Sequence, residues 1–284
     1  MHNILIMHNL ENISSQVRRD IIRMVSDVQS GHPGGSLGCA DFFTALYFDI
    51  LRYKPDQFTM DGFGEDLFFL SNGHVSAAWY SILAHAGFFE VKELATFRKM
   101  GTRLQGHPCT HDGLPGIRMA SGSLGQGISV GIGAALSKKM NSDDKLVYVL
   151  TGDGELQEGQ IWEAALFAAS HKVDNLIITV DYNKKQIDGP TDSVISLGDL
   201  HAKWEAFGWQ VYEMNGNIIP DILSTMKTAG ENTGKGKPIV ILMHTEMGMG
   251  VDFMMGTHKW HGSAPNAEQT ERALSQLAET LGDY

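Results

Sequence analysis

Leu146-Val147-Tyr148-Val149-Leu150-Thr151-Gly152-Asp153-Gly154-Glu155-Leu156-Gln157-Glu158-Gly159 is an apolar run that breaks into a polar turn bracketed by glycines. The run predicts a strand over 146–150 that delivers Asp153 to the carboxyl edge of a sheet. A second apolar run, Leu176-Ile177-Ile178-Thr179-Val180, predicts another strand, and Asn183 follows it thirty positions after Asp153. Residues 157–170 between them read as a helix. The unit is therefore βαβ, and its crossover sets the two strand ends side by side. This is the layout of a site for a divalent metal and a diphosphate. Gly152 and Gly154 leave the backbone bare, so amide N–H groups reach phosphate oxygens. The helix after Gln157 offers its positive N-terminal end to the same anion. Asp153 and the side-chain carbonyl of Asn183 are hard oxygen donors suited to Mg²⁺ or Ca²⁺. A Gly-Asp-Gly triplet alone is a common turn. Its weight here comes from the strand before it, the second strand and the asparagine.

Outward from this unit, strands alternate with helices. Ile13, Val17, Ile21, Val25 and Val28 recur at helical spacing, which predicts a helix over 12–29 that Gly31 and Pro33 end. A second helix is expected over about 40–52, with Phe42, Phe43, Leu46 and Ile50 on it. Phe68-Phe69-Leu70 reads as a strand running into Ser71-Asn72-Gly73-His74, followed by a helix over 75–86. Glycines 125, 127, 131 and 133 line a helix able to approach another backbone closely. Later strands are expected at 210–214 and 238–244, a polar loop at 231–237 and a final helix over 267–281. The pattern predicts an α/β fold: a mostly parallel sheet with helices on both faces. A single domain over 1–284 is expected.

Composition narrows the function. The chain has 284 residues, 43% hydrophobic and 19% charged, as in ordinary globular proteins. The net charge of −11 and the lack of a basic stripe argue against nucleic-acid binding. Cys39 and Cys109 have no paired spacing, so a disulfide framework and a cysteine zinc site are not expected, and a reducing compartment fits. Met1 to Met7 holds a brief apolar run without a basic leader, which does not read as a signal peptide. No stretch approaches the roughly 20 apolar residues of a membrane span. The expectation is a cytoplasmic protein.

Four histidines sit beside glycine or proline at the ends of predicted elements: His32 in GHPG, His74 in NGH, His107 in GHP and His261 in WHGS. A lone histidine is more often structural than catalytic. Four in four glycine loops point to convergence on one polar pocket. They are poor zinc ligands, because no close His spacing and no cysteine accompanies them. Imidazoles suit proton exchange with sugar hydroxyls and hydrogen bonds to carbonyl and phosphate oxygens near neutral pH. His111 and His258 are weaker members. His2, His8, His85, His171, His201 and His244 read as structural or surface residues.

These segments resemble the N-terminal, diphosphate-binding portion of transketolase. The resemblance is carried by SGHPG at 30–34, LSNGH at 70–74, GHP at 106–108, GSLGQG at 122–127, GDGELQEG at 152–159, DYNKKQIDG at 181–189 and WHGSAPN at 260–266. Gly-Asp-Gly with a distant Asn is shared by many thiamine diphosphate enzymes, whereas the histidine loops and WHGS are particular to transketolases. The resemblance implies a thiamine diphosphate-binding fold and transfer of a two-carbon ketol unit from a ketose to an aldose, with the cofactor supplying the chemistry. Sugar phosphate substrates and a place in the pentose phosphate pathway are implied with it. Asp153 and Asn183 should be side-chain ligands of Mg²⁺ or Ca²⁺, with the backbone carbonyl of Lys185 a third. His74, His261 and the Gly154 amide should contact the diphosphate. Gly122, Ser123 and Leu124 should lie against the cofactor, as should the Gly152-Asp153-Gly154-Glu155 turn. His32, His74, His107 and His261 should line the sugar channel and relay protons. Glu158 resembles an acidic residue that communicates between paired active sites across the subunit interface.

Two departures stand out. Transketolases continue into pyrimidine-binding and C-terminal domains, which hold the glutamate that activates the aminopyrimidine and most phosphate-binding groups. This sequence stops at Tyr284. The expectation is a split enzyme: an α2β2 heterotetramer whose second chain is a separate C-terminal subunit. The second departure is Thr245-Glu246-Met247-Gly248-Met249-Gly250, where relatives carry a lysine-rich TxKGKG. Two lost positive charges should weaken the field near an anionic cofactor, unless a lysine such as Lys259 compensates.

Three rival readings fit less well. The α chain of a 2-oxo acid dehydrogenase, or a deoxyxylulose phosphate synthase, shares the metal motif but is less well matched by the GHPG and WHGS loops. A nucleotide-binding oxidoreductase needs a strand before its glycine turn, which Gly125-Gln126-Gly127 lacks. A non-catalytic binding protein of the same fold would have no need of intact Asp153, Asn183 and all four loop histidines.

Overall fold

Apolar runs buried on both faces become parallel strands, and here they form one central sheet. The computed structural model describes residues 2–284, with side chains from Asn9 onward. The reading of Met1 to Met7 lies outside those side chains. The chain runs through α1 (His2–Asp27), α2 (Pro33–Gly38), α3 (Ala40–Ala45), β1 (Leu67–Leu70), α4 (Ser76–His85), α5 (Gly127–Met140), β2 (Val147–Gly152), α6 (Gly159–Ser170) and β3 (Leu176–Tyr182). A small hairpin follows, β4 (Lys185–Gln186) with β5 (Gly189–Pro190). Then come α7 (Thr191–Val194), α8 (Leu200–Ala206), β6 (Gln210–Asn215), α9 (Ile219–Glu231), β7 (Ile239–His244) and α10 (Ala267–Gln276).

The sheet order is β1-β2-β3-β7-β6, every pair parallel. All carboxyl ends therefore meet at one edge. Gly152 of β2 stands in register with Asp181 of β3, as the βαβ reading requires. Alternate strand residues feed two cores. Leu70, Leu150, Ile177, Ile241 and Met243 pack under α1, α3, α4 and α9, where Val17, Ile21 and Phe43 are fully buried. Val149, Ile178, Val180 and Val240 pack under α5, α6 and α8, against Ile128, Ile161 and Trp204. The glycine helix packs as expected at two positions. A Cβ on Gly127 would lie 2.4 Å from the Ser71 side chain, and one on Gly131 would lie 2.5 Å from Val149. Gly133 faces open space.

Several element boundaries differ from the sequence reading, and helix α1 begins at His2, ten residues before the expected start. The helix over 40–52 stops at Ala45 and continues as a π-helical turn, Leu46–Ile50. Helix α6 starts at Gly159, after a tight turn Gly154–Gln157, so the amides nearest Asp153 belong to the turn and not to the α-helix. The last helix ends at Gln276 rather than 281. Beyond it, the tail folds back onto α1: Asp283 accepts from Arg19 at 2.7 Å and from Gln16 at 3.0 Å. Among the described residues, no helix is long and apolar enough to cross a membrane.

Candidate active site

The loops at the carboxyl edge meet through backbone contacts that only small residues permit. Gly34 N donates to Trp260 O at 2.9 Å, and Gly248 N donates to Gly34 O at 2.9 Å. A Cβ on Gly34 would stand 2.8 Å from Trp260 O. The SGHPG, WHGS and 245–250 loops are thereby stacked. Gly122, at φ +123°, lies against the His107 ring, where a Cβ would come within 2.9 Å.

The result is a cluster of four imidazoles. Ring centroids of His32 lie 5.3 Å from His74, 6.3 Å from His107 and 5.8 Å from His261, and His74 lies 5.0 Å from His261. All four line a cavity of about 320 Å³ together with Gly122, Leu124, Gly152, Asp153, Gly154, Glu155, Glu158, Asn183 and Lys185. His111 and His258 do not line it. Burial, then the neighbouring His261, Arg98 and His107, brings His32 down to about 4. Burial also lowers His74, His107 and His261. The cluster is neutral at pH 7 and offers nitrogen lone pairs as well as N–H donors. Of the cavity-lining groups, His32 Nδ1 and His261 Nδ1 are buried without a partner. Such atoms fit a polar ligand that completes them.

The other wall is acidic. Asp153 is buried, and burial followed by the charge of Asp181 raises it to about 8. It accepts from Gly154 N at 2.7 Å and from Lys184 N. Asp181 is wholly buried, and burial raises it too. It accepts from Asn183 Nδ2 at 2.9 Å, from Thr245 Oγ1 and from the Cys39 thiol. Among the described residues, no set of three His, Cys, Asp or Glu side chains is arranged for a metal. The donors gathered here are instead two carboxylates and the Asn183 amide.

The structure refines four sequence expectations. Ser123 is exposed and does not line the cavity, although its neighbours Gly122 and Leu124 do. The Glu155 carboxylate accepts from Ser71 Oγ, Gly125 N (2.8 Å) and Gly152 N (3.1 Å), so it pins three loops together. Met247 is fully buried against Gly34, and Met249 lines a separate cavity beside Arg18 and Asp41. These two side chains turn away from the site, so methionine there removes no charge from the cavity wall. Lys259 does not line the cavity either. The lysine that does is Lys185, whose Nζ stands 3.3 Å from Glu246 Oε1.

Sequence patterns missed Asp181, Gln186 and Ile187, which also line the cavity. The alternation of β3 places Asp181 on the same face as Asn183, a signal that was available. Ile187 is 61% exposed at the mouth, unusual for an isoleucine unless an apolar ligand part or another chain covers it.

Residues 10–280 match the family model described as the transketolase thiamine diphosphate binding domain. The chain belongs to this transketolase family. It is 41% identical over 275 residues to an apulose-4-phosphate transketolase subunit of Phocaeicola vulgatus, covering 97% of this chain and 96% of that one. It is 37% identical over 270 residues to a 6-deoxy-6-sulfo-D-fructose transketolase subunit of a Clostridium species, covering 95% and 96%. Among solved structures, transketolase from Leishmania mexicana superposes with a TM-score of 0.87 at 30% identity, over 96% of this chain and 42% of that chain. A Pichia stipitis transketolase variant gives 0.86 at 32% identity, over 95% and 41%. The chain thus spans about two fifths of the length of these solved transketolases and nearly the full length of the two relatives named as transketolase subunits.

Proposed function

We propose that this chain is the diphosphate-binding subunit of a thiamine diphosphate-dependent transketolase, a single domain whose active site a C-terminal, pyrimidine-binding subunit completes. The observation that carries this reading is the convergence of His32, His74, His107 and His261 on one cavity with Asp153 and Asn183. The assembly is read as an α2β2 heterotetramer in the cytoplasm.

Asp153 and Asn183, with the backbone carbonyl of Lys185, are the proposed ligands of Mg²⁺ or Ca²⁺. Two buried carboxylates with raised proton affinity sit beside one half-buried cation, Lys185. A divalent ion would supply the missing positive charge and hold diphosphate oxygens. Gly152 and Gly154 carry no side chain there, which leaves room for the same oxygens, while their amides donate to Glu155 and Asp153. Leu124 and Ile187 offer apolar surface for the central ring of the cofactor. When bound, thiamine diphosphate supplies the carbon nucleophile for ketol transfer.

The chain's own side chains handle the sugar. The neutral imidazoles of His32 and His107 take and return hydroxyl protons, and His74 and His261 donate to oxygens of cofactor and substrate. Glu158, exposed at the cavity rim, is placed to meet the adjoining subunit.

The test is ketol transfer with thiamine diphosphate and Mg²⁺, with and without the product of the adjacent reading frame. Donor and acceptor are xylulose 5-phosphate and ribose 5-phosphate. Apulose 4-phosphate is included because subunit relatives named for specialised sugars are 37–41% identical, against 30–35% for relatives named simply transketolase. Activity only in the mixture supports the reading. Cofactor binding without transfer of any of these sugars overturns the substrate class and keeps the binding site.

A further inference from the structure

No sequence pattern singles out Arg98, yet its side chain reaches two of the four histidine loops. Nη1 donates to Ser30 Oγ at 3.0 Å, two residues before His32. Nη2 lies 3.5 Å from the carbonyl oxygen of Gly106, the residue before His107. That carbonyl also accepts from Ser76 Oγ at 2.8 Å. The guanidinium rests directly on the Gly106 backbone, where a Cβ would come within 2.7 Å of Cζ.

The backbone at Arg98 is itself unusual. Its φ is +55°, a region that side-chain-bearing residues rarely occupy. Gln29, Ser142 and Lys172 share that region, but each closes an α-helix through backbone bonds typical of a helix end. Arg98 instead takes the third position of a type II turn: Phe97 has φ −50° and ψ 128°, and Lys99 N donates to Thr96 O at 3.0 Å. The Arg98 backbone N–H donates to Leu104 O at 2.7 Å, which ties this conformation to the loop that carries His107. The positive φ is the turn's own geometry, and the bond to Leu104 fixes that turn against the His107 loop.

We propose that Arg98 is a positioning residue for the sugar channel, joining the His32 loop to the His107 loop and setting the distance between their imidazoles. Its functional consequence rests on the transketolase reading above. The geometry has a second effect. Among the described residues no carboxylate pairs with Arg98, and its Nε is buried without a partner. Its charge therefore acts on what it faces: His32 and His107, with Tyr80 on the other side. His261 and His74 complete the charged or titratable groups around His32. A cation beside His32 and His107 opposes their protonation, in the same sense as burial, so both stay free to accept protons from the sugar.

Three variants separate bridge from charge. Arg98→Lys keeps the charge and loses the two-armed bridge. Arg98→Gln loses both, and Ser30→Ala removes one arm alone. The first readout is the titration of the His32 and His107 Cε1 signals by NMR in the full chain, which needs no turnover. Arg98→Gln should move both upward, while Arg98→Lys should leave them nearly in place. The second readout is kinetics in the assembly with the complementary subunit. Donor kcat/KM should fall about tenfold or more in both Arg98 variants and less in Ser30→Ala, with thiamine diphosphate Kd within about twofold of wild type. Wild-type kcat/KM in Arg98→Lys and Ser30→Ala overturns the bridge. Where Arg98→Gln does not fold, those two variants decide. An inactive wild-type assembly counts against the transketolase reading alone, and the histidine titrations still decide the role of Arg98.

Discussion

Asn183 Nδ2 donates to Asp181 at 2.9 Å, and that bond aims the Asn183 carbonyl oxygen away from Asp181 toward the Lys185 amide, 2.9 Å from it. Asp181 is in turn held by Thr245 and Cys39. A buried carboxylate thus fixes which end of the amide can serve as an oxygen ligand.

Replacing Asp181 by Asn should therefore loosen Asn183 without removing it. Metal-dependent thiamine diphosphate affinity should fall by about tenfold to a hundredfold. Isothermal titration of the assembled enzyme with cofactor and Mg²⁺ measures this directly. Unchanged affinity would show that the Asn183 orientation is held by other contacts.

The histidine cluster predicts a pH dependence of stability with a definite sign. His32 falls from the ordinary 6.5 to about 4 in the fold. The folded chain therefore binds fewer protons than the unfolded chain between these values. Its contribution is fully present above about 6.5 and is lost as pH falls from there toward 4. The loss for His32 is at most about 1.4 kcal/mol per pH unit. Urea midpoints at pH 7, 6 and 5 should decline, and His32→Gln should flatten that decline.

His107 and His32 are assigned to the sugar rather than the cofactor. Alanine at either position should reduce kcat by about a hundredfold, within the range of a lost general acid–base, while thiamine diphosphate affinity changes little. Steady-state kinetics beside a cofactor titration separates the two. Equal losses in both would move these imidazoles to the diphosphate.

Helix α5 offers a steric test within a single turn. Gly131→Ala would push a methyl into Val149, 2.5 Å away, and should cost about 1–3 kcal/mol. Gly133→Ala meets nothing within 4 Å and should gain about 0.5–1 kcal/mol from helix propensity. Chemical denaturation of the two variants in parallel should give shifts of opposite sign.

Much of the site was legible in the linear chain because its signals are local. An apolar strand ending in Gly-Asp-Gly places Asp153 at a sheet edge whatever surrounds it. Four histidines flanked by glycine or proline mark loop ends in the same way. Four of the five strands were readable for the same reason: runs such as Leu176–Val180 are apolar on both faces and suit a covered parallel sheet, whereas the edge strand Gln210–Asn215 is half-exposed. The break in helix 40–52 was not readable, because Leu46–Ile50 keeps helical composition and only its packing selects the wider turn.

What only the tertiary structure decided is the direction of side chains in irregular loops and the identity of their neighbours. Met247 and Met249 sit in a segment where lysines would be expected, yet their side chains leave the cavity, because Gly34 and the Arg18–Asp41 pair stand where they point. Glu155 belongs to the diphosphate turn by sequence but pins Ser71 and Gly125 in the fold, 84 and 30 positions away. Arg98 joins Ser30 to Gly106 across 68 and 8 positions. Periodicity and turn chemistry determine where an element starts and stops. Which loop stands beside which depends on strand register and on close backbone approaches between distant segments, and neither is encoded in any local stretch of the chain.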